Sequence, residues 1–475
     1  MKITRIILLG LFVLYACSKP LDPSSVCRIS GTFEPAFQEH LAFTYAEFLD
    51  SSRIDQNGQF EIDVPVEEPG YGMLMYNNGL LNVYVEAGKN LSINVTGNNF
   101  PDNIEFEGSL GPINHYLHLE RKLETRTKIS SEDLYSKEPE DFSLYTDSIR
   151  RLKTKLLGEY VAKYPEIDSN FTRKRSADIL YTWASQQLLY PGYYTIVKNQ
   201  IPALPDSYHH KYLEELDLES PELLISPIYK TFLQNYLDYR EAVYLENNPE
   251  VKKVWFPGSV SRFRVIHEEF TNEEIKNYLL YISINDHLDN FGTEHIESFI
   301  TNFRISCTNE EYKALVEEKY STSEVLARGN PAPELDFFDT DGIKVKLSEL
   351  KGRLLYLNFW ASWSEWSIQE FPYWEKLRND FDGYEVDFIS VSMDFMTDKN
   401  KWVYIVDKQK LGGTQLIHDP ESNSFKEQYF INDLPRYLLI DPQGNIISAH
   451  APRPSENMEL VLKNLLNKRP WLSDN

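Results

Sequence analysis

The stretch Asn358-Phe359-Trp360-Ala361-Ser362-Trp363-Ser364-Glu365-Trp366-Ser367-Ile368-Gln369-Glu370-Phe371-Pro372 decides how the C-terminal third of the chain folds. Leu354 to Phe359 is a nearly continuous apolar run, the pattern of a strand buried on both faces. Trp363 to about Asn379 reads as a helix. Between them, Ser364 is placed as an N-cap, its oxygen accepting from a backbone N–H two or three residues on. Ser367 with Glu370 would form a capping box instead. Pro372 falls inside the helical pattern and reads as a kink.

Working outward, Gly329-Asn330-Pro331-Ala332-Pro333 is a Pro-rich junction that disfavours helix. Beyond it, strands and helices alternate. Val386 to Val391 reads as a second buried strand and Lys399 to Lys408 as a helix. Tyr437 to Ile440 and Ile446 to Ala449 read as strands around Asp441-Pro442-Gln443-Gly444, and Glu456 to Leu466 as a closing helix. This order predicts a compact α/β domain with a mixed sheet over 328–475.

The chain has 475 residues, which sets a prior of about three domains. It carries 48 Lys+Arg against 72 Asp+Glu, a formal charge of −24, so the basic face that a nucleic acid needs is absent. A hydrophobic content of 42% excludes global disorder. Three cysteines (Cys17, Cys27 and Cys307) exclude a disulfide scaffold and a Cys-rich zinc site. No metal site and no cofactor follow from these residues.

Residues 17–108 read as β, in short alternating runs separated by turn signals. Asn57-Gly58 reads as a type I′ hairpin turn, and the spacing of the strands predicts a small sandwich or barrel. Residues 109–327 read as helices joined by short loops. Ile149, Leu152, Leu156, Tyr160 and Tyr164 recur at helical spacing. Thr271-Asn272-Glu273-Glu274 and Thr308-Asn309-Glu310-Glu311 both fit a capping box, and Pro165, Pro191, Pro205, Pro221 and Pro227 read as breaks. His209-His210 could be a metal pair, but adjacent side chains on a helix point about 100° apart, so a solvated helix face is the expectation. The fold class expected for the whole chain is therefore α+β multidomain: a β-sandwich or barrel, a helical middle and an α/β domain.

Residues 1–16 read as a leader. Lys2 and Arg5 precede an apolar run, Ile6 to Tyr15, that is too short to span a bilayer. The ending Leu14-Tyr15-Ala16-Cys17 resembles the lipobox of bacterial lipoproteins. That resemblance implies cleavage before Cys17, lipidation of its thiol and a tether in the cell envelope, with Ser18 favouring the outer membrane. Cleavage removes Lys2 and Arg5 and takes the charge from −24 to −26.

Three further motif sets carry resemblances. The Ile29-to-Phe33 opening, the Asn57-to-Ile62 turn and the Val83-to-Gly88 run resemble the β-rich domain found ahead of thioredoxin-like domains in envelope lipoproteins. Phe359-Trp360-Ala361-Ser362-Trp363 resembles the approach to the active site of TlpA-like thiol–disulfide reductases. The Asn330-Pro331-Ala332-Pro333 start, Leu347 to Gly352, Glu370-Phe371-Pro372, a strand ending at Asp394, and Leu434-Pro435 match the same family in order. In that family a Cys-x-x-Cys follows the Trp. Its first thiol sits at a helix N-terminus that lowers its pKa, and its second resolves the mixed disulfide. Here the four residues are Ser364-Glu365-Trp366-Ser367. The resemblance therefore implies a thioredoxin-like fold without its catalytic cysteines, with Trp366 filling the space where a substrate disulfide would approach.

Leu434-Pro435 resembles the family's cis-proline loop, where the backbone pairs with an extended substrate. Trp363, Glu365, Trp366, Leu434, Pro435 and Arg436 are accordingly the candidate peptide-binding residues, and an envelope protein or extended peptide the expected partner. A serine nucleophile would need a base. His418 is the nearest-looking one, but it is expected in a loop, and no Gly-x-Ser-x-Gly elbow surrounds either serine. The competing expectation is a thiol–disulfide oxidoreductase or peroxiredoxin-type enzyme. It would need Cys27 or Cys307 as the reactive thiol, with the helix start at Thr308 lowering the pKa of Cys307.

Overall fold

The computed structural model describes residues 23–468 apart from 205–207, 255, 420–427 and 432, and not the side chains of 209–211. The leader, Cys17, Pro205 and the His209-His210 side chains therefore lie outside the described residues. Packing groups the chain into two compact units. One runs to Glu215 and takes in Ser226–Phe232; the other holds Leu216–Ile225 and the chain from Leu233 on.

The first unit opens with β1 (Val26–Glu34), β2 (His40–Tyr45), β3 (Phe48–Arg53), β4 (Gln59–Pro65), β5 (Gly70–Tyr76), β6 (Gly79–Val85), β7 (Asn90–Thr96) and β8 (Ile104–Glu107). They form two four-stranded sheets, in the orders β4-β1-β7-β8 and β3-β2-β5-β6. Alternation explains the burial. In β4, Phe60, Ile62 and Val64 point inward while Gln59, Glu61 and Asp63 face water.

Asn57-Gly58 is not the hairpin turn that its dipeptide predicts. β3 pairs with β2 and β4 with β1, so the connection passes from one sheet to the other. Only Gly58 of the two has positive φ, at 79°. Asp55 holds the bend, accepting from the N–H groups of Asn57 and Gln59, both at 2.8 Å. The two-residue turn with φ positive at both positions is Asn77-Asn78 (47° and 64°), between the paired residues Tyr76 and Gly79.

The helices are α1 (Gly111–Thr127), α2 (Ser131–Tyr135), α3 (Pro139–Lys163), α4 (Ser169–Lys198), α5 (Tyr208–Leu213), α6 (Pro227–Asn247), α7 (Pro257–Glu269), α8 (Glu273–Phe291), α9 (Glu297–Ser306) and α10 (Glu310–Ser323). Ile113, Tyr116, Leu157 and Phe171, from α1, α3 and α4, join the core of the β region. The Asn114 amide mimics a neighbouring strand. It accepts from Tyr84 N–H at 2.8 Å and donates to Tyr84 O at 3.0 Å, which satisfies part of the edge strand β6.

Pro191 does not break its helix, because α4 runs through it. The carbonyl that loses its helical donor there, Gln187 O, accepts instead from the Tyr208 hydroxyl at 3.3 Å. Leu152 is exposed, and Leu157 takes its inward place. At both Thr-Asn-Glu-Glu sites the cap is the asparagine, not the threonine. Asn272 accepts from Glu274 N–H and Ile275 N–H, and Asn309 from Tyr312 N–H. The Thr308 backbone N–H is taken by Asn277 Oδ1 at 2.9 Å, so a side chain from α8 fixes the start of α10.

The C-terminal part of the second unit contains β9 (Asp336–Asp339), β10 (Lys344–Lys346), β11 (Leu354–Trp360), α11 (Glu365–Asp380), β12 (Val386–Ser392), α12 (Lys399–Gln409), β13 (Thr414–His418), β14 (Arg436–Ile440), β15 (Ile446–Ser448) and α13 (Met458–Lys468). The mixed sheet has the order β10-β9-β13-β12-β11-β14-β15. β11 runs parallel to β12 and antiparallel to β14. All seven residues of β11 are buried. Leu355, Leu357 and Phe359 pack on one face with Leu438 and Ile440. Leu354 and Tyr356 pack on the other with Trp374, Tyr437 and Leu439. β9, β10 and β13 are short and weakly periodic, so the sequence pattern does not predict them.

Replacing Asn78 by valine puts a β-branched residue at positive φ, which costs about 1–2 kcal/mol. Asn57→Ala is expected to stay within about 0.5 kcal/mol. Urea denaturation of the two variants measures the contrast.

Candidate functional site

The chain leaves the buried end of β11 at Trp360 and turns through Ala361, Ser362 and Trp363 into α11. Asp394, just after β12, anchors this turn. Its carboxylate accepts from Ser362 N–H at 2.9 Å and from the Ser362 hydroxyl at 2.8 Å. Ser392 Oγ donates to the same carboxylate at 2.8 Å, and Met393 N–H donates to Trp360 O at 2.7 Å. The exits of two adjacent parallel strands are thereby tied together.

Ser364 is the N-cap of α11, accepting from Ser367 N–H at 3.3 Å. The Ser367 hydroxyl donates to Ser364 Oγ at 2.9 Å, and the Ser364 hydroxyl donates to Leu434 O at 3.4 Å. Leu434–Pro435 is a cis peptide bond. The two hydroxyls thus form a relay from the first turn of α11 to the carbonyl before the cis-proline. Ser367 is wholly buried, and Ser364 nearly so. Glu370 does not close a capping box with Ser367. It is buried, and its carboxylate accepts from the Ser455 hydroxyl at 2.7 Å and Ser455 N–H at 3.2 Å.

The remaining candidate residues divide between the corner and the interior. Glu365 is exposed. Trp363 and Trp366 are 68% and 67% exposed, so Trp366 stands out in solvent and does not fill the corner. Phe395, next to the Asp394 anchor, is also exposed. Leu434 is half-buried and Pro435 buried.

Arg436 does not belong with them. Its side chain is buried, donates to Asp289 O at 2.9 Å and contacts the His450 ring. His418 is not in a loop: it ends β13, and β12 lies between β13 and β11 in the sheet. Burial pushes its pKa down.

Cys27 and Cys307 are both buried free thiols. Cys307 is the C-cap of α9, with its sulfur 3.7 Å from Asn309 O. A helix C-terminus disfavours a thiolate, the reverse of what a helix start would do. Burial pushes both thiols up in pKa. Among the described residues, no three His, Cys, Asp or Glu side chains are grouped to hold a metal ion. No helix there is long and apolar enough to cross a membrane. Ser362, Glu370 and Asp394 stand in the motifs quoted above, but no motif gave them these contacts: the Asp394–Ser362 tie and the Glu370–Ser455 bonds come from the order of the strands.

Both thiols are expected to resist a water-soluble disulfide reagent in the native chain at pH 8 and to react fully in urea. A thiol count under the two conditions checks this.

Residues 328–449 match the AhpC/TSA family. Among curated proteins, the thiol-disulfide oxidoreductase ResA of Bacillus subtilis is 28% identical over 147 residues, 31% of this chain and 80% of that protein. Among solved structures, the thioredoxin domain of a thiol-disulfide oxidoreductase from Bacteroides vulgatus is 26% identical. It aligns with 30% of this chain and 99% of that one, with a TM-score of 0.28. A thiol-disulfide oxidoreductase from Bacteroides fragilis is also 26% identical, over 29% of this chain and 100% of that one, with a TM-score of 0.25. With the buried central strand, the capped helix that follows it and the cis-proline opposite, residues 328–449 form a thioredoxin-like domain of the AhpC/TSA family whose relatives include thiol-disulfide oxidoreductases.

Proposed function

We propose that this chain is an envelope lipoprotein, tethered through Cys17, whose thioredoxin-like domain binds an extended polypeptide segment and does not exchange electrons with it. The observation that carries the reading is the Ser364–Ser367 pair. Two hydroxyls in hydrogen-bond contact, at the helix start facing the cis-proline, stand where thiol–disulfide oxidoreductases of this fold place a cysteine pair. A serine hydroxyl forms neither a thiolate near neutral pH nor a disulfide. What the corner retains is a binding geometry. The backbone beside Pro435 offers main-chain pairing of the strand-addition kind, and Trp363, Glu365 and Trp366 supply an aromatic and acidic rim. Aromatic side chains of this size carry a large share of the energy where they anchor interfaces.

The catalytic alternative rests on the names of the relatives and requires Cys27 or Cys307 to react. The burial of both thiols weighs against it.

In an insulin-reduction assay with dithiol recycling, the native chain is expected to show no turnover above background. The Ser364→Cys/Ser367→Cys variant is expected to form an internal disulfide and acquire turnover. Native turnover that is abolished by Ser364→Ala would end the reading. For the binding half, an affinity pull-down of the tagged lipoprotein from its native envelope is expected to recover a polypeptide. A Trp363→Ala/Trp366→Ala variant should lose at least tenfold of it; equal recovery by both chains places binding elsewhere.

A further inference from the structure

Arg436 is the only arginine or lysine among the described residues with less than a tenth of its surface exposed. The other arginines deep in this chain are held by carboxylates. Arg175 bonds Glu120 at 2.6 Å, Arg240 bonds Glu269 at 2.5 Å, and Arg262 bonds Glu241 at 2.6 Å and Asp286 at 3.1 Å. Arg436 has no ion pair among the described residues. Its contacts are a main-chain carbonyl in the last turn of α8, Asp289 O, and the ring of His450. That imidazole is neutral, since burial and the neighbouring guanidinium push its pKa down to about 2. The helix C-terminus offers only a partial negative charge. A buried guanidinium without an ion pair is costly, and burial lowers its pKa to about 10 against the opposing pull of the Asp289 and Asp433 charges, neither of which reaches it as an ion pair.

The guanidinium is not sealed in. Arg436 lines a cleft of about 550 Å³, bounded by the end of α8, β15, the segment after it and α13. Arg328 and Arg453 line the same cleft. Both are exposed, and neither has an ion pair among the described residues. Three guanidinium groups with no ion pair among the described residues line one concave site, together with the carboxylates of Asp289, Glu294, Asp433 and Glu456. Two of the carboxylates there are already engaged. Asp289 is bound to Lys319 at 2.7 Å, and Glu456 accepts from Arg453 N–H at 3.0 Å. Glu294 and Asp433 complete the wall, so a bound ligand would also meet acceptors for any hydroxyl or amino group it carries. The volume lies in the range of small-molecule sites. A fork of guanidinium donors is the side chain best matched to the planar or tetrahedral edge of an oxyanion.

We propose that this cleft is a binding site for a small molecule bearing an oxyanion, carboxylate or phosphate, with Arg436 as its buried anchor and Arg328 and Arg453 at its mouth. The cleft shares Pro435 with the cis-proline corner but is lined by none of Trp363, Glu365 and Trp366, and the proposal does not depend on the peptide-binding reading.

Isothermal titration of the intact chain with succinate, and separately with inorganic phosphate, tests the assignment. Saturable binding of one succinate or one phosphate per chain is expected, and the tighter of the two identifies the group recognised. Arg436→Gln, shown to be folded by circular dichroism, is expected to weaken that binding at least tenfold. An Arg328→Gln/Arg453→Gln variant alters only exposed side chains and is expected to weaken it at least threefold. If neither probe binds saturably, or if the double variant binds as the native chain does, the proposal is overturned whatever the fate of Arg436→Gln.

Discussion

Strand β11 is the constraint on which the C-terminal domain depends. Its seven residues are buried, with side chains committed alternately to two different cores. Such a strand has no freedom of register, because a shift of one residue would exchange the two cores. Parallel pairing to β12 and antiparallel pairing to β14 then set two things at its end: the turn that starts α11 and the cis-proline segment that precedes β14. The corner occupied by Ser364, Ser367 and Leu434 is a consequence of that register. It is also why the corner can keep its shape without a disulfide. The hydroxyl relay and the Asp394 anchor hold together a geometry that the sheet already imposes.

Charge is managed differently at the surface and inside. The excess of acidic residues keeps the exterior repulsive toward anions. Interior guanidinium groups are mostly matched with one or more carboxylates drawn from that excess. Arg436 breaks the pattern, and it does so immediately after the cis-proline. The same short segment therefore turns the Leu434 carbonyl toward Ser364 and the Arg436 guanidinium into the cleft.

Much of the architecture was legible in the sequence where a local pattern had a single physical solution. Leu354 to Phe359 is too apolar to be anything but a strand covered on both sides. Ser364, between a strand exit and a helical period, is a cap. Elsewhere a correct local rule met a longer-range competitor. Asn57-Gly58 is a good hairpin dipeptide, but its flanking strands find better partners in opposite sheets. Pro191 removes a helical hydrogen bond, but Tyr208 supplies another donor and Tyr190 and Tyr194 hold the helix in place by burial. Thr271 and Thr308 yield the cap to the next residue, with Thr308 N–H claimed by Asn277.

By itself the sequence determined that serine oxygens, not thiols, flank Glu365 and Trp366, because composition at a position needs no fold to be read. It determined the order of strands and helices around them, since periodicity is a property of neighbours along the chain. The tertiary structure alone decided that Trp366 faces solvent, that Cys307 ends a helix and does not begin one, and that Arg436 turns away from the corner into a cleft shared with Arg328 and Arg453. Each of these depends on which surfaces meet across distant parts of the chain. Burial and the pairing of charges are set by those meetings, so no local spacing rule encodes them.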